Sequence, residues 1–349
     1  MDRRNFVLSA GATAVGSMAQ PSISVVRAGI LGTQHSHTLG KLAAMRESPD
    51  YEVVAVCEYD AAARERAQKN PLFRGLRWVS EDELLSDASL HLILVECHVW
   101  EALPWGRKVI AAGKHLHLEK PPGNDWHGFK ELIENARRKK LLLQMGYVWR
   151  WHEGVLAAIE AARRGWLGEV FMVRGTMNSD REPRQRAVEA CYRGGSMFEL
   201  GGHVIDRVVE LLGRPKNVKS WLRHDTTWPD QLADNTLVVL EYDKAVAVIS
   251  SAARMYGSSE HRSFEVIGSD GSVIVHPEAA RPKLQVAMRR AQGPYKSGWQ
   301  EIELPPQPRF VGDFKELARA LKSGQPLKLS WDHELLLHET LLRASGELS

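Results

Sequence analysis

The stretch His115-Leu-His-Leu-Glu-Lys-Pro-Pro-Gly123 holds the residue best placed to do chemistry. A short apolar run, Lys114 to Leu118, reads as a buried strand, and Pro121 and Pro122 cannot continue a sheet ladder. Lys120 therefore stands at the carboxyl end of a strand, where open α/β sheets bind their ligands. A lysine there can hold a charged or hydroxylated ligand, or donate a proton if burial lowers its pKa. A second group lies far along the chain, in Gly194-Gly-Ser-Met-Phe-Glu199-Leu-Gly-Gly-His203-Val-Ile-Asp206. Glu199 and His203 are four apart and His203 and Asp206 three apart, spacings that share one helix face. A carboxylate beside an imidazole makes a general base, with the acid orienting the ring. Asp206 is open to a purely structural role. Two flanking glycine pairs argue for close approach by a ligand or another backbone.

A third candidate is the turn Gly29-Ile-Leu-Gly32-Thr33-Gln34-His35-Ser-His37. Gly32 directly follows a strand-like run, where a tight turn brings backbone N–H groups to a pyrophosphate. The dinucleotide fingerprint G-x-G-x-x-G would need glycine again where Gln34 and His37 stand. Gln34 would crowd the backbone approach, so the turn must be wider or the ligand must sit differently. Glu58 ends the next strand, near the spacing of about 20 residues expected of an acid that holds the adenosine ribose. An acid there disfavours the extra phosphate of NADP, so NAD is the expected cofactor.

The elements that position these groups follow from pattern. From Ile23 to about Gly146 strands and helices alternate, which predicts a Rossmann-like, doubly wound parallel sheet over 21–146. Ser80 with Glu83 forms a capping box, and Asp125 can cap the helix that runs to about Lys140. After Tyr147 one amphipathic helix, about Glu153 to Arg164, gives way to consecutive strands joined by short turns. Residues 147–349 therefore read as an α+β domain for substrate and oligomer contacts. It has a large, mostly antiparallel open sheet and C-terminal helices broken at Gly324-Gln-Pro326. Its open face leads us to expect a homo-oligomer.

Composition narrows the class. The formal net charge is +3 with both signs interspersed, and no basic stripe carries interleaved aromatics, so nucleic acid is not an expected partner. The three cysteines, Cys57, Cys97 and Cys191, suggest neither a disulfide framework nor a zinc site. His35 with His37, and His115 with His117, are spaced as ligand pairs, but no nearby cysteine or carboxylate completes a set, and no metal is expected. The eleven tryptophans suit packing, with Trp149 a candidate for a sugar-lining face. Residues 1–20 carry Arg3-Arg4, Phe6, a weakly apolar run and Ser17-Met-Ala19, the pattern of a twin-arginine export signal. That run is too short to span a bilayer, so no stable membrane insertion is expected. The expected location is periplasmic or extracytoplasmic, or cytoplasmic if the signal is not one.

Together these features resemble the glucose–fructose oxidoreductase / inositol dehydrogenase / MocA superfamily. The resemblance rests on Glu119-Lys120-Pro121 and on Gly194-Gly195 with His203-Val-Ile-Asp206. Ala112-Gly-Lys-His115, Gly146-Tyr147 with Arg150, and Asp234-Asn235 support it. It implies that Lys120 contacts both nicotinamide and substrate, that His203 is the acid/base, and that Glu199 stands where aspartate is common. The implied catalytic residues are thus Lys120, His203 and Glu199. Gly32, Thr33, Gln34, His35, Glu58, Glu119 and Lys120 are the candidate cofactor contacts. One departure is Cys97-His98-Val-Trp-Glu-Ala102, where relatives carry T-P-N-x-x-H. The expected function is NAD(P)-dependent oxidation or reduction of a sugar or polyol-like molecule with a cofactor carried through the export machinery. The alternatives are a glycoside hydrolase that uses NAD transiently, and a non-catalytic binding protein that keeps the fold.

Overall fold

A computed structural model of the chain describes residues 23–349; the expected signal, residues 1–20, lies outside them. Six strands build the first sheet: β1 (Val26–Leu31), β2 (Tyr51–Cys57), β3 (Arg77–Trp78), β4 (Leu92–Val95), β5 (His115–Leu118) and β6 (Leu143–Met145). All pairings are parallel, in the spatial order β3-β2-β1-β4-β5-β6. The order reverses between β1 and β4, which opens a crevice at their carboxyl ends. Leu31 pairs with both Cys57 and Val95, and Val95 pairs with Leu118. The residues that follow these strand ends, Gly32, Glu58, Glu96 and Glu119, therefore lie in one tier at the crevice.

The connecting helices are α1 (Thr38–Glu47), α2 (Ala61–Gln68), α3 (Glu81–Ser86), α4 (Val99–Ala111) and α5 (Trp126–Arg138). The expected caps form. Ser80 and Glu83 make a reciprocal capping box, and Asp125 accepts from the Gly128 N–H at 2.9 Å. α1 starts at Thr38. Its first N–H turns back to the His35 carbonyl at 3.1 Å, so the turn after β1 is longer than the pattern suggested.

The second part holds α6 (Glu153–Arg163), β7 (Val170–Thr176), α7 (Pro183–Glu189), a π-helical turn (Met197–Gly201) and α8 (Gly202–Leu212). The strands β8 (Asn217–Arg223), β9 (Asn235–Glu241) and β10 (Val246–Ala252) follow. After the short α9 (Ser258–His261) come β11 (Ser263–Gly268), β12 (Gly271–Val275), β13 (Lys283–Met288) and β14 (Gly298–Glu303). The eight strands run β14-β13-β12-β11-β7-β10-β9-β8, antiparallel except where β7 lies parallel to β10. Alternation puts Val238, Leu240, Ala247, Ile249, Phe264 and Val266 on the buried face. The opposite face carries half-buried Val239, Val248 and Ile267, with Trp221 and Trp299 exposed.

The two C-terminal helices, α10 (Val311–Ser323) and α11 (Trp331–Ala344), were both expected in the second domain. The structure divides them. α11 packs on α8, whereas α10 returns to the first sheet. Phe314 and Leu317 bury there in one core with Val26, Ala28 and Ile30, each such side chain contributing about 1.5–3 kcal/mol. The Tyr51 hydroxyl donates to the Phe314 carbonyl at 2.7 Å. The physical reason is that a parallel sheet must be covered on both faces, and the early helices leave this one short.

Candidate active site

The turn after β1 is built around two fixed points. Gly32 has φ +83°, and a Cβ there would stand 2.9 Å from the Glu96 carbonyl, so only glycine fits. Glu58 is the second point. Its Oε2 accepts from the Thr33 N–H at 2.6 Å and hydroxyl at 2.7 Å, and its Oε1 from the Asp60 N–H at 2.9 Å and the Gln34 amide at 3.2 Å. Gln34, expected to crowd the pyrophosphate approach, turns its side chain to Glu58. The Glu58 carboxylate, expected to hold a ribose, is engaged on both oxygens by its own chain and anchors the turn.

The next tier is a buried charge cluster. Lys41, 1 % exposed, lies under the turn and donates to Glu96 at 2.7 Å while pairing closely with Glu119. Glu119 also accepts from the His37 ring at 3.0 Å and from the Lys120 N–H at 3.0 Å. Burial opposes its ionisation, but His35, Lys41 and His37 outweigh that and hold its pKa well below the usual carboxylate range. Glu96 has one oxygen, Oε2, without a partner, and burial pushes its pKa up to about 8. Burial also holds the pKa values of His35 and His37 down. Among the described residues His35, His37 and Glu119 bring possible ligand atoms within 4.8 Å of one another, a carboxylate that sequence reasoning did not place there. The Lys41 ammonium stands on the same Glu119 oxygen, Oε1, where it supplies the positive charge a metal would bring. His115 and His117 serve framework contacts, to the Leu142 N–H at 2.8 Å and the Gln144 amide oxygen at 2.9 Å.

Lys120 and Glu199, drawn from two separate motifs, meet in the fold. The Lys120 ammonium donates to the Glu199 carboxylate at 2.9 Å and to its carbonyl at 3.0 Å. Glu199 sits in the π-helical turn that leads into α8, a distortion common at functional sites. His203, 1 % exposed, begins the regular helix beyond it, flanked by Tyr147 and Trp149 at ring separations of 5.6 and 6.4 Å. Burial, and then the positive charge of Lys120, hold its pKa well below 6.5, so the ring is neutral at pH 7. The expected Glu199–His203 bond does not form. The Glu199 carboxylate goes to Lys120, and the His203 Nδ1 has no partner in the chain. The π turn breaks the spacing that would have aligned them.

Asp206 is structural. It is fully buried and accepts from Arg150 at 2.8 Å, Arg207 at 2.8 Å and His333 at 2.8 Å, while Arg150 also pairs with Glu334. Trp149, expected to line a sugar site, is 1 % exposed and backs His203 with its indole N–H on Glu278 at 3.2 Å.

A cleft of about 370 Å³ runs between the two parts of the chain. One wall is the turn, with Thr33, Gln34 and His35; the other is α7 and the residues before it, with Arg181, Arg184 and Glu189. Glu199 closes one end and Arg66 of α2 also faces in. Glu189, 5 % exposed, has Oε2 without a partner, and burial pushes its pKa up to about 7. Sequence reasoning missed Lys41, Glu96, Glu189 and the α7 arginines. The only signal for the last was the cationic run Arg181-Glu-Pro-Arg184 at a Pro-led helix start.

Residues 26–147 match the oxidoreductase family with an NAD-binding Rossmann fold, and residues 155–274 match the GFO/IDH/MocA C-terminal domain. This chain belongs to the GFO/IDH/MocA oxidoreductase family. One relative, an uncharacterized oxidoreductase of Schizosaccharomyces pombe, is 27% identical over 259 residues, covering 71% of this chain and 70% of its own. Another, dTDP-3,4-didehydro-2,6-dideoxy-alpha-D-glucose 3-reductase of Streptomyces violaceoruber, is 25% identical over 313 residues, or 87% and 88% of the two chains. A 3-ketoreductase of Actinomadura kijaniata, solved with NADP and TDP-benzene, shares the fold at a TM-score of 0.77 and 18% identity, covering 93% of this chain and 98% of its own.

The cleft fits the dinucleotide of a GFO/IDH/MocA oxidoreductase. It lies at the carboxyl ends of β1 and β4, and Arg66 and Arg184 face it with no acidic partner among the described residues. The Lys120–Glu199 pair stands at its far end. Such a cleft accepts an elongated anion whose reactive end reaches a lysine.

Proposed function

We propose that this NAD(P)-dependent oxidoreductase is exported, keeps its dinucleotide, and acts on a sugar or polyol-like substrate. The observation that carries the reading is the Lys120–Glu199 pair, at 2.9 Å, beside a buried histidine held neutral. When bound, the dinucleotide supplies hydride acceptance and donation. Lys120 holds the substrate hydroxyl oxygen and stabilises negative charge as it develops. Glu199 aims the ammonium and offers its second carboxylate oxygen to a neighbouring hydroxyl. His203 takes the hydroxyl proton, and its environment suits that role because the neutral form is present at pH 7. Tyr147 and Trp149 fix the ring by packing where no acid does so.

The Streptomyces relative, a dTDP-sugar 3-reductase by name, supports a sugar-like substrate. Arg3-Arg4 and the small-residue end at Ala19 support export by the twin-arginine machinery to the periplasm. The half-buried outer face of the second sheet supports a homo-oligomer. The test is to denature the purified exported protein and look for released nucleotide by absorbance and mass, then to assay a panel of sugars and polyols. Protein that emerges empty and exchanges NADH freely would remove the retained cofactor. Release of an aglycone from a glycoside without net NADH would move the reading to a redox-neutral hydrolase.

A further inference from the structure

The backbone donors that an anion would need in the turn are already spent. The Gly32 N–H donates to the Cys57 carbonyl at 2.8 Å and the Thr33 N–H to Glu58 at 2.6 Å. The Gln34 and His35 N–H groups both donate to the Glu96 carbonyl, at 3.1 and 3.2 Å. The His37 N–H goes to the His35 ring at 3.2 Å and the Thr38 N–H to the His35 carbonyl at 3.1 Å. Between Gly32 and Thr38 only the Ser36 N–H has no acceptor among the described residues. A pyrophosphate carries two negative charges and several acceptor oxygens, so one amide cannot satisfy it.

The opposite wall supplies what the turn lacks. Arg181 and Arg184 line the same cleft from the second domain, and Arg66 lines it from α2. Arg184 and Arg66 are exposed and pair with no acid among the described residues, whereas Arg181 is half-buried and paired with Glu189, which an anion would have to share. The segment that carries the first two is held rigidly. Arg186, fully buried on the next turn, forks onto Asp230 at 2.6 and 2.9 Å and onto Asp234 at 2.8 Å. Its guanidinium lies over Trp228 at 5.3 Å, with Arg254 over the same ring at 5.0 Å. The Arg181 N–H adds a main-chain bond to the Ala253 carbonyl at 2.9 Å. Cations on a braced helix are pre-organised for an anion, and guanidinium forks match phosphate oxygens.

We propose that Arg181 and Arg184 of the second domain, with Arg66 across the cleft, hold the phosphates of the dinucleotide in place of the turn's backbone amides. This rests on the dinucleotide reading above and adds a consequence to it. A ligand gripped from both domains can leave only if α7 and the turn separate, which gives retention a physical cause.

The test uses the full-length protein stripped of nucleotide, with NADH, NADPH and ADP as probes and binding read by fluorescence and calorimetry. Arg184→Ala should weaken NADH and ADP alike by about tenfold to a hundredfold, the loss expected of a charge-assisted bond. Arg66→Ala should act in the same direction, and the Arg181→Ala/Arg184→Ala double variant should release bound nucleotide faster. Both single variants remove exposed side chains, so unchanged circular dichroism will confirm the fold. Adenosine, which lacks phosphate, should bind equally to wild type and variants. If NADH and ADP bind the arginine variants as they bind wild type, the turn holds the phosphates and this proposal is overturned. If wild type itself binds none of the three nucleotide probes, the dinucleotide reading falls with it.

Discussion

Replacing Glu58 with alanine should destabilise the protein by about 2–4 kcal/mol even with no nucleotide present. The figure follows from what the carboxylate holds. Four donors converge on it: the Thr33 N–H and hydroxyl, the Asp60 N–H and the Gln34 side-chain amide. Gln34 can swing to water and the threonine hydroxyl can rotate, so their loss costs little. The two main-chain N–H groups cannot move without unwinding the turn or the start of α2. Each buried donor left unmet costs about 1–3 kcal/mol. Thr33 is only half-buried and Asp60 is exposed, so water will reach both vacancies in part and the sum falls in the lower range. Glu58→Gln keeps one acceptor oxygen but points an amide at donors on the other side, so it should cost about half as much. Urea unfolding of nucleotide-free protein, followed by far-ultraviolet circular dichroism, reads the change as a lower midpoint with an unchanged slope. A ribose ligand behaves in the opposite way: its loss leaves the empty protein as stable as before and weakens only nucleotide binding. That pattern for Glu58→Ala would refute the anchoring role.

Other expectations follow from the same geometry. Lys120→Met should cut turnover by about a hundredfold to a thousandfold, because the oxygen that develops charge loses its cation; initial rates on any active sugar or polyol will show it, and full turnover would sink the mechanism. Burial, with Lys120 next, keeps the His203 pKa well below 6.5, and a base must be neutral to work. The acid limb of kcat/KM assigned to His203 should therefore lie below pH 6.5 and vanish in His203→Asn; a limb at or above 6.5 contradicts the assignment. Burial pushes Glu189 up to about 7, so above that pH it adds a negative charge to a cleft that must take an anion. NADH affinity should then fall as pH rises through about 7, and Glu189→Gln should flatten the profile. Asp206→Ala removes the buried acid shared by Arg150, Arg207 and His333, leaving the two arginines only Glu334 and Glu210, and should cost about 3 kcal/mol in urea unfolding; a loss under about 1 would deny its structural role.

Much of the frame was legible because its signals are local. Strand ends at Gly32, Glu58 and Glu119 are marked by an apolar run that stops at a glycine, an acid or a proline. Caps at Ser80 and Asp125 need only residues three positions away. The Lys120–Glu199 pair was not legible, since 79 positions separate the partners and the family resemblance implied only that both belong to one site. The Glu199–His203 bond was misread because helical spacing was assumed across a π turn that no residue pattern announces.

The sequence by itself determined the doubly wound first sheet and the mostly antiparallel second sheet. Periodicity and turn residues act over a few positions, and those positions are written side by side. Tertiary structure alone decided how the charges are spent. It set Lys41 beneath the turn, gave Glu58 to the turn's own donors, returned α10 to the first sheet, and brought the α7 arginines across the cleft. Each of these joins residues far apart in the chain. A buried charge takes whichever partner the packing brings within reach, and only the folded chain sets that distance.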